Sequence, residues 1–171
     1  LSRYLLERTI RLSQPLSQVV VVSRSASVRC LAKQAGAWAL VEAGAELNMA
    51  LKQASDWVVS QGGEQLLILP GDLPLLSSEV LANLWQLGQN KASLVIAPCH
   101  RHDGTNALLL HPPGQIDFSF GPGSFARHQQ LARAKRIEPI IVHSPALALD
   151  LDLPADLAQL SRLTGRTRGY V

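Results

Sequence analysis

At 171 residues the chain fits one domain on the usual scale of about 100–200 residues. Apolar residues make up 47% and charged residues 17%, which supplies ample core and excludes a disordered tail. The net charge of +3 is too weak to argue for nucleic acid, and no apolar run approaches the roughly 18 residues of a membrane span.

Leu1, Leu5, Leu6 and Ile10 fall at helical spacing, so residues 1–12 are predicted as an amphipathic helix, entered without a leading strand. Gln18–Ser23 follows as a β-branched run, the pattern of a strand buried on both faces. Val28–Ala35 is predicted as a short helix stopped by Gly36, and Trp38–Val41 as a second strand. Leu47, Leu51, Ala54 and Val58 line one face of a longer helix ending at Gly62-Gly63. Gln65–Pro70 reads as a third buried strand, followed by a helix from an N-cap at Ser77 to about Leu87. Ser93–Ala97 and Ala107–Leu110 are further strands across a polar loop. A basic helix over Ser124–Arg136, strands at Pro139–His143 and Leu147–Leu151, and a helix over Ala155–Leu163 complete the reading. This alternation predicts an α/β domain with a mostly parallel central sheet and helices on both faces.

Ligands of open α/β sheets bind beyond the carboxyl ends of the strands. Asp72 follows its strand in Pro70-Gly71-Asp72-Leu73-Pro74, and Asp150 and Asp152 end another in Leu149-Asp150-Leu151-Asp152. Period two places the latter pair on one face of an extended strand. Together the three carboxylates make a hard-oxygen site suited to Mg²⁺ or Mn²⁺; singly, Asp72 and Asp152 also read as turn or helix caps. Arg101-His102-Asp103-Gly104-Thr105-Asn106 is the most polar interstrand segment, and its Asp-Gly pair equally signals a plain hairpin. In Phe120-Gly121-Pro122-Gly123-Ser124-Phe125 the glycines let backbone N–H groups approach an anion at a helix N-terminus, with Ser124 as N-cap or anion donor. His128 lies close enough to this turn to meet an anion; His100 and His102 lack further metal-spaced partners.

Gly121, Gly123 and Ala126 match a relaxed dinucleotide fingerprint, but late in the chain, interrupted by Pro122 and without an acidic residue ending the next strand. Walker and nucleophile-elbow motifs are absent from the 171 residues. Cys30 and Cys99 stand in unlike contexts and give neither a disulfide framework nor a metal spacing, so a reducing cytoplasm is the expected location.

Gly-Asp-Leu-Pro at 71–74, Asp-Gly-Thr-Asn at 103–106, Phe-Gly-Pro-Gly-Ser-Phe at 120–125 and Leu-Asp-Leu-Asp at 149–152 occur in this order. Together they resemble the CofC/FbiD family of phospholactate or phosphoenolpyruvate guanylyltransferases of coenzyme F420 biosynthesis. The resemblance runs from about Val19 to Leu160. It implies a MobA-like, Rossmann-like nucleotidyltransferase fold whose first strand is missing here, together with a basic phosphate-holding loop expected before Leu1.

It also implies transfer of GMP from GTP to a phosphorylated three-carbon acid, with release of pyrophosphate. Asp72, Asp150 and Asp152 then carry catalysis by holding divalent metal. Thr105, Asn106, Gly121, Gly123 and Ser124 bind the acid, and Leu47, Asn48 and Pro70 the nucleotide, with Glu42 just before the Leu-Asn pair. Because the acid's phosphate attacks the α-phosphorus directly, no protein nucleophile is required. The expected partners are GTP and the small acid; a homodimer is compatible with the sequence. Two other readings stay open: a different MobA-like nucleotidyl- or glycosyltransferase, and an inactive binding module lacking its N-terminal loop.

Overall fold

The computed structural model describes residues 1–44, 46–90, 92–151 and 154–165. Helix α1 (Ser2–Ser13) leads into strand β1 (Val20–Ser23), then α2 (Ala26–Gln34), β2 (Trp38–Val41), α3 (Leu47–Ser60) and β3 (Leu66–Ile68). The second half runs α4 (Ser78–Leu87), β4 (Ser93–Pro98), β5 (Thr105–His111), α5 (Ser124–Ala134), β6 (Ile140–Ile141), α6 (Pro145–Ala148) and α7 (Pro154–Thr164).

Strands β1 and β2 form a parallel pair, and a second sheet has the order β3-β5-β4-β6. Within it β4 and β6 are parallel, while β5 is antiparallel to both neighbours, so β3, β4 and β6 share one direction. The reversal of β5 follows from its connection. Residues 99–104 close a short loop, with Cys99 N–H donating to Gly104 O at 2.9 Å, and so short a link returns only antiparallel. The expected mostly parallel sheet therefore holds with one reversed strand.

Period two divides β4 and β5 between two cores. Val95, Ala97, Ala107 and Leu109 pack with Leu81 and Leu84 of α4 on one face. Leu94, Ile96, Leu108 and Leu110 pack with Ile116 and Ala132 of α5 on the other. Ile10, Ala32 and Ala37 form a third, smaller core around the β1–β2 pair.

Several expectations are corrected. Residues 147–151 are not a strand: Pro145, at the first turn after Ser144, starts the helical turn α6, since its fixed φ suits that position. The strand expected over Pro139–His143 shortens to Ile140–Ile141, paired only with β4. The runs at Gln18–Ser23 and Gln65–Pro70 do become strands, but β1 is half-buried throughout and only Leu66 of β3 is buried. Between these two strands lies an apolar cavity of about 790 Å³, bordered by Ile10, Val20, Val22, Leu51, Leu67 and Leu69. The runs are apolar on both faces, yet β1 and β3 are not paired with each other. Among the described residues no helix is long and apolar enough to cross a membrane.

Candidate active site

The shared direction of β3, β4 and β6 puts their carboxyl ends, and the start of the reversed β5, at one edge of the four-stranded sheet. Beyond β3 comes the turn holding Pro70 and Asp72, both half-buried, with one Asp72 carboxylate oxygen shielded from solvent. Beyond β4 come Cys99 and His100, and β5 opens with the buried Thr105 and Asn106.

Asn106 sets the geometry of this edge. Its amide Nδ2 donates to the carbonyls of Leu147 at 2.9 Å and Ala148 at 3.2 Å, and His100 N–H donates to the same Ala148 carbonyl at 2.8 Å. These bonds pin α6 across the strand ends and deliver Asp150 just beyond it. Asp150 Oδ1 is buried and has no hydrogen-bond partner among the described residues, with His100 Nδ1 4.0 Å away. His100 Nε2 lies 3.9 Å from Asp156 Oδ1, which Arg101 Nη1 approaches to 3.7 Å. A buried carboxylate oxygen without a donor is costly, and a cation removes that cost. Asp152, the third carboxylate expected here, lies outside the described residues. Among the described residues no three His, Cys, Asp or Glu side chains converge as a ligand set.

The Gly-rich turn before α5 is braced from three sides. Asn48, in the first turn of α3, accepts from Phe120 N–H at 2.7 Å and donates back to Phe120 O at 3.3 Å. Asp103 Oδ1 accepts from Gly123 N–H at 2.9 Å, and Asp103 O accepts from Phe125 N–H at 3.0 Å. Arg127 donates to the hydroxyl and the carbonyl of Ser119, at 2.7 and 2.9 Å. Gly121 and Gly123 take φ of 114° and 74°, the region that favours glycine.

This bracing corrects two expectations. The amides of Gly123, Ser124 and Phe125 are already taken by Asp103 and the Gly121 carbonyl, so they are not open to an anion. Ser124 is not the N-cap: Gly123 holds that position, and Ser124 is the first residue of α5. The Ser124 side chain is buried and its Oγ accepts from Thr105 N–H at 2.9 Å.

His128 is also placed differently from expectation. It is fully buried, with Nδ1 2.9 Å from Thr105 Oγ1 and Nε2 accepting from Ser119 N–H at 3.1 Å, so neither nitrogen meets an anion. The Phe120 ring packs against it at 4.8 Å in an edge-on arrangement. Burial lowers its pKa to about 4, with the positive charge of Arg127 adding to the effect. His102 instead packs its ring near those of His143 and Phe125.

Of the residues expected at the nucleotide, Leu47 is exposed at the start of α3, while both polar atoms of Asn48 are committed to Phe120. Glu42 pairs with Arg24 at 2.9 Å. The structure thus brings Thr105, Asn106, Ser124 and the Gly121–Gly123 turn together around the start of β5, with Asp150 held alongside through Asn106. Sequence reasoning missed the bracing roles of Asp103, Asn48 and Arg127 and the link from His128 to Thr105. Only Asp103 carried a local signal, its Asp-Gly turn.

The sequence matches the family described as guanylyl transferase CofC like over residues 1–168. Among similar proteins, the phosphoenolpyruvate guanylyltransferase of Rubrobacter xylanophilus is 41% identical over 150 residues, covering 88% of this chain and 73% of that relative. The 3-phospho-D-glycerate guanylyltransferase of Colwellia psychrerythraea is 32% identical over 150 residues, covering 88% and 71%. In fold, the chain resembles the crystal structure of 4-diphosphocytidyl-2C-methyl-D-erythritol synthase, with a TM-score of 0.70 at 14% identity over 94% of this chain and 90% of that one. The α/β architecture is thus of the MobA-like type, and the chain belongs to the CofC-like guanylyl transferase family of nucleotidyltransferases.

Proposed function

We propose that the protein transfers GMP from GTP to a phosphorylated three-carbon acid, releasing pyrophosphate, as a step in making coenzyme F420 in the cytoplasm. The observation that carries this reading is the sheet edge itself. Asn106 binds the Leu147 and Ala148 carbonyls and so sets Asp150, whose buried Oδ1 has no hydrogen-bond partner among the described residues, beside the start of β5, where Thr105 and the Gly-rich turn meet.

Asp72, Asp150 and Asp152 are the residues that the family resemblance implies would hold the metal, and such all-oxygen donors would suit Mg²⁺ or Mn²⁺. When bound, such an ion neutralises charge on the triphosphate. A phosphate oxygen of the acid attacks the α-phosphorus of GTP; the new P–O bond forms as the bond to the β-phosphate oxygen breaks and pyrophosphate leaves. The chain's residues act by placement. The Thr105 hydroxyl meets the acid, Asn106 and the Gly121–Ser124 turn shape the wall of its seat with their own amides already bonded, and Leu47, Asn48 and Pro70 shape the nucleotide side. Asn48 does so through Phe120.

The gap between β1 and β3 is the seat of a further parallel strand, consistent with the strand and basic loop that the family resemblance implies before Leu1. A helix feeding a parallel strand is normally the crossover from a neighbouring strand, and α1 feeds β1. The acid is phosphoenolpyruvate, the acceptor named for the Rubrobacter relative, with 3-phospho-D-glycerate as the second reading because the Colwellia relative is named for it.

Pyrophosphate release with Mg²⁺ tests this, using each of the four nucleoside triphosphates with phosphoenolpyruvate, 2-phospholactate or 3-phosphoglycerate. Release is expected only with GTP and at least tenfold faster with phosphoenolpyruvate. Release that ignores the acid, or that prefers another nucleotide, overturns the assignment.

A further inference from the structure

We infer that His128 is a positioning residue that fixes the hydrogen-bond polarity of Thr105, turning its hydroxyl into a donor aimed at the incoming acid. The inference rests on the function proposed above and adds to it a residue that touches no substrate.

The argument is one of proton counting. Ser119 N–H can only donate, and it donates to His128 Nε2 at 3.1 Å, so that nitrogen holds a lone pair. In a neutral imidazole the proton then sits on Nδ1, which donates to Thr105 Oγ1 at 2.9 Å. Burial keeps the ring neutral at ordinary pH. A threonine hydroxyl has a single proton. Having accepted from His128, Thr105 keeps that proton for another acceptor, and no described residue supplies one. Phosphate and carboxylate at neutral pH offer only acceptors, so a donor is what the acid requires. The opposite tautomer would draw the Thr105 proton inward and present lone pairs to an anion.

Ser124 steadies the backbone beneath that hydroxyl. Its Oγ accepts from Thr105 N–H at 2.9 Å, which fixes the main chain of the residue whose hydroxyl His128 orients. Arg127 completes the device from the far side. By binding the hydroxyl and carbonyl of Ser119, it holds the residue whose N–H selects the histidine tautomer.

The test combines steady-state kinetics with the nitrogen NMR signature of the ring. At pH 7 the protein should show His128 with the proton on Nδ1. His128→Leu should raise KM for the acid roughly 10- to 100-fold, the worth of a hydrogen bond to a charged group, and leave KM for GTP within twofold. His128→Asn, whose amide N–H can replace Nδ1–H, should recover most of the loss and also serves if the Leu variant folds poorly. Thr105→Val should match His128→Leu, and the double variant should add no more than twofold to either. Additive effects, a parallel rise in both KM values, or a proton found on Nε2 would overturn the inference while leaving the proposed activity intact. No acid-dependent pyrophosphate release from the unmodified protein would remove both.

Discussion

Acid should destabilise this protein through His128 in a measurable, separable way. Its pKa is lowered from 6.5 to about 4 in the folded state, by burial first and by Arg127 second. The unfolded chain therefore binds more protons between these values, so stability rises with pH there. The contribution is complete above about pH 6.5 and is lost as pH falls toward 4. At 1.36 kcal/mol per pH unit, protonating the folded ring costs about 3 kcal/mol in all, of which about 2 kcal/mol is lost between pH 7 and pH 5. The structural cause is specific: a proton on Nε2 would face Ser119 N–H, donor against donor. Urea unfolding followed by circular dichroism at both pH values, for the protein and its His128→Asn variant, isolates this share from the carboxylates. The native protein should lose about 2 kcal/mol more than the variant on acidification. Equal losses in the two would refute the burial argument.

Two further substitutions probe other parts of the molecule. Asp150→Asn neutralises a carboxylate whose buried Oδ1 has no hydrogen-bond donor among the described residues, so Tm without divalent metal should stay or rise while Mg²⁺-dependent pyrophosphate release falls at least about 100-fold. Gly88→Ala would drive a Cβ into Leu109 Cδ2, inside the central sheet's core. It should lower stability by about 1–3 kcal/mol in urea unfolding with little change in activity per folded molecule.

What the sequence disclosed follows the range of the forces involved. The Ser77 cap was legible because its hydroxyl accepts from Val80 N–H within one turn. Strands β4 and β5 were legible as apolar runs on either side of a polar loop, whereas the two-sided burial expected of the Gln18–Ser23 run fell instead to them. The segment from Leu147 read as a strand because its apolar residues outweighed Pro145 at a helix start, a signal that acts two residues earlier. The site's support was hidden for a different reason. Asn48 meets Phe120 across 72 positions, and Thr105 meets His128 across 23, so only the fold brings these partners together. The N-cap role expected of Ser124 fails because its hydroxyl serves a neighbouring strand instead of its own helix.

The β1–β2 pair and the four-stranded sheet also draw their stability from different cores. The β1–β2 pair relies on its own small core of Ile10, Ala32 and Ala37, separate from the two cores that grip β4 and β5. Helix α1 ties the parts together: Leu5 and Ile10 are buried, and Arg8 donates to the Leu76 carbonyl before α4. In a hydrogen-exchange experiment the β1–β2 amides are expected to open at a lower free energy than those of the β4–β5 ladder, because the smaller core alone holds them.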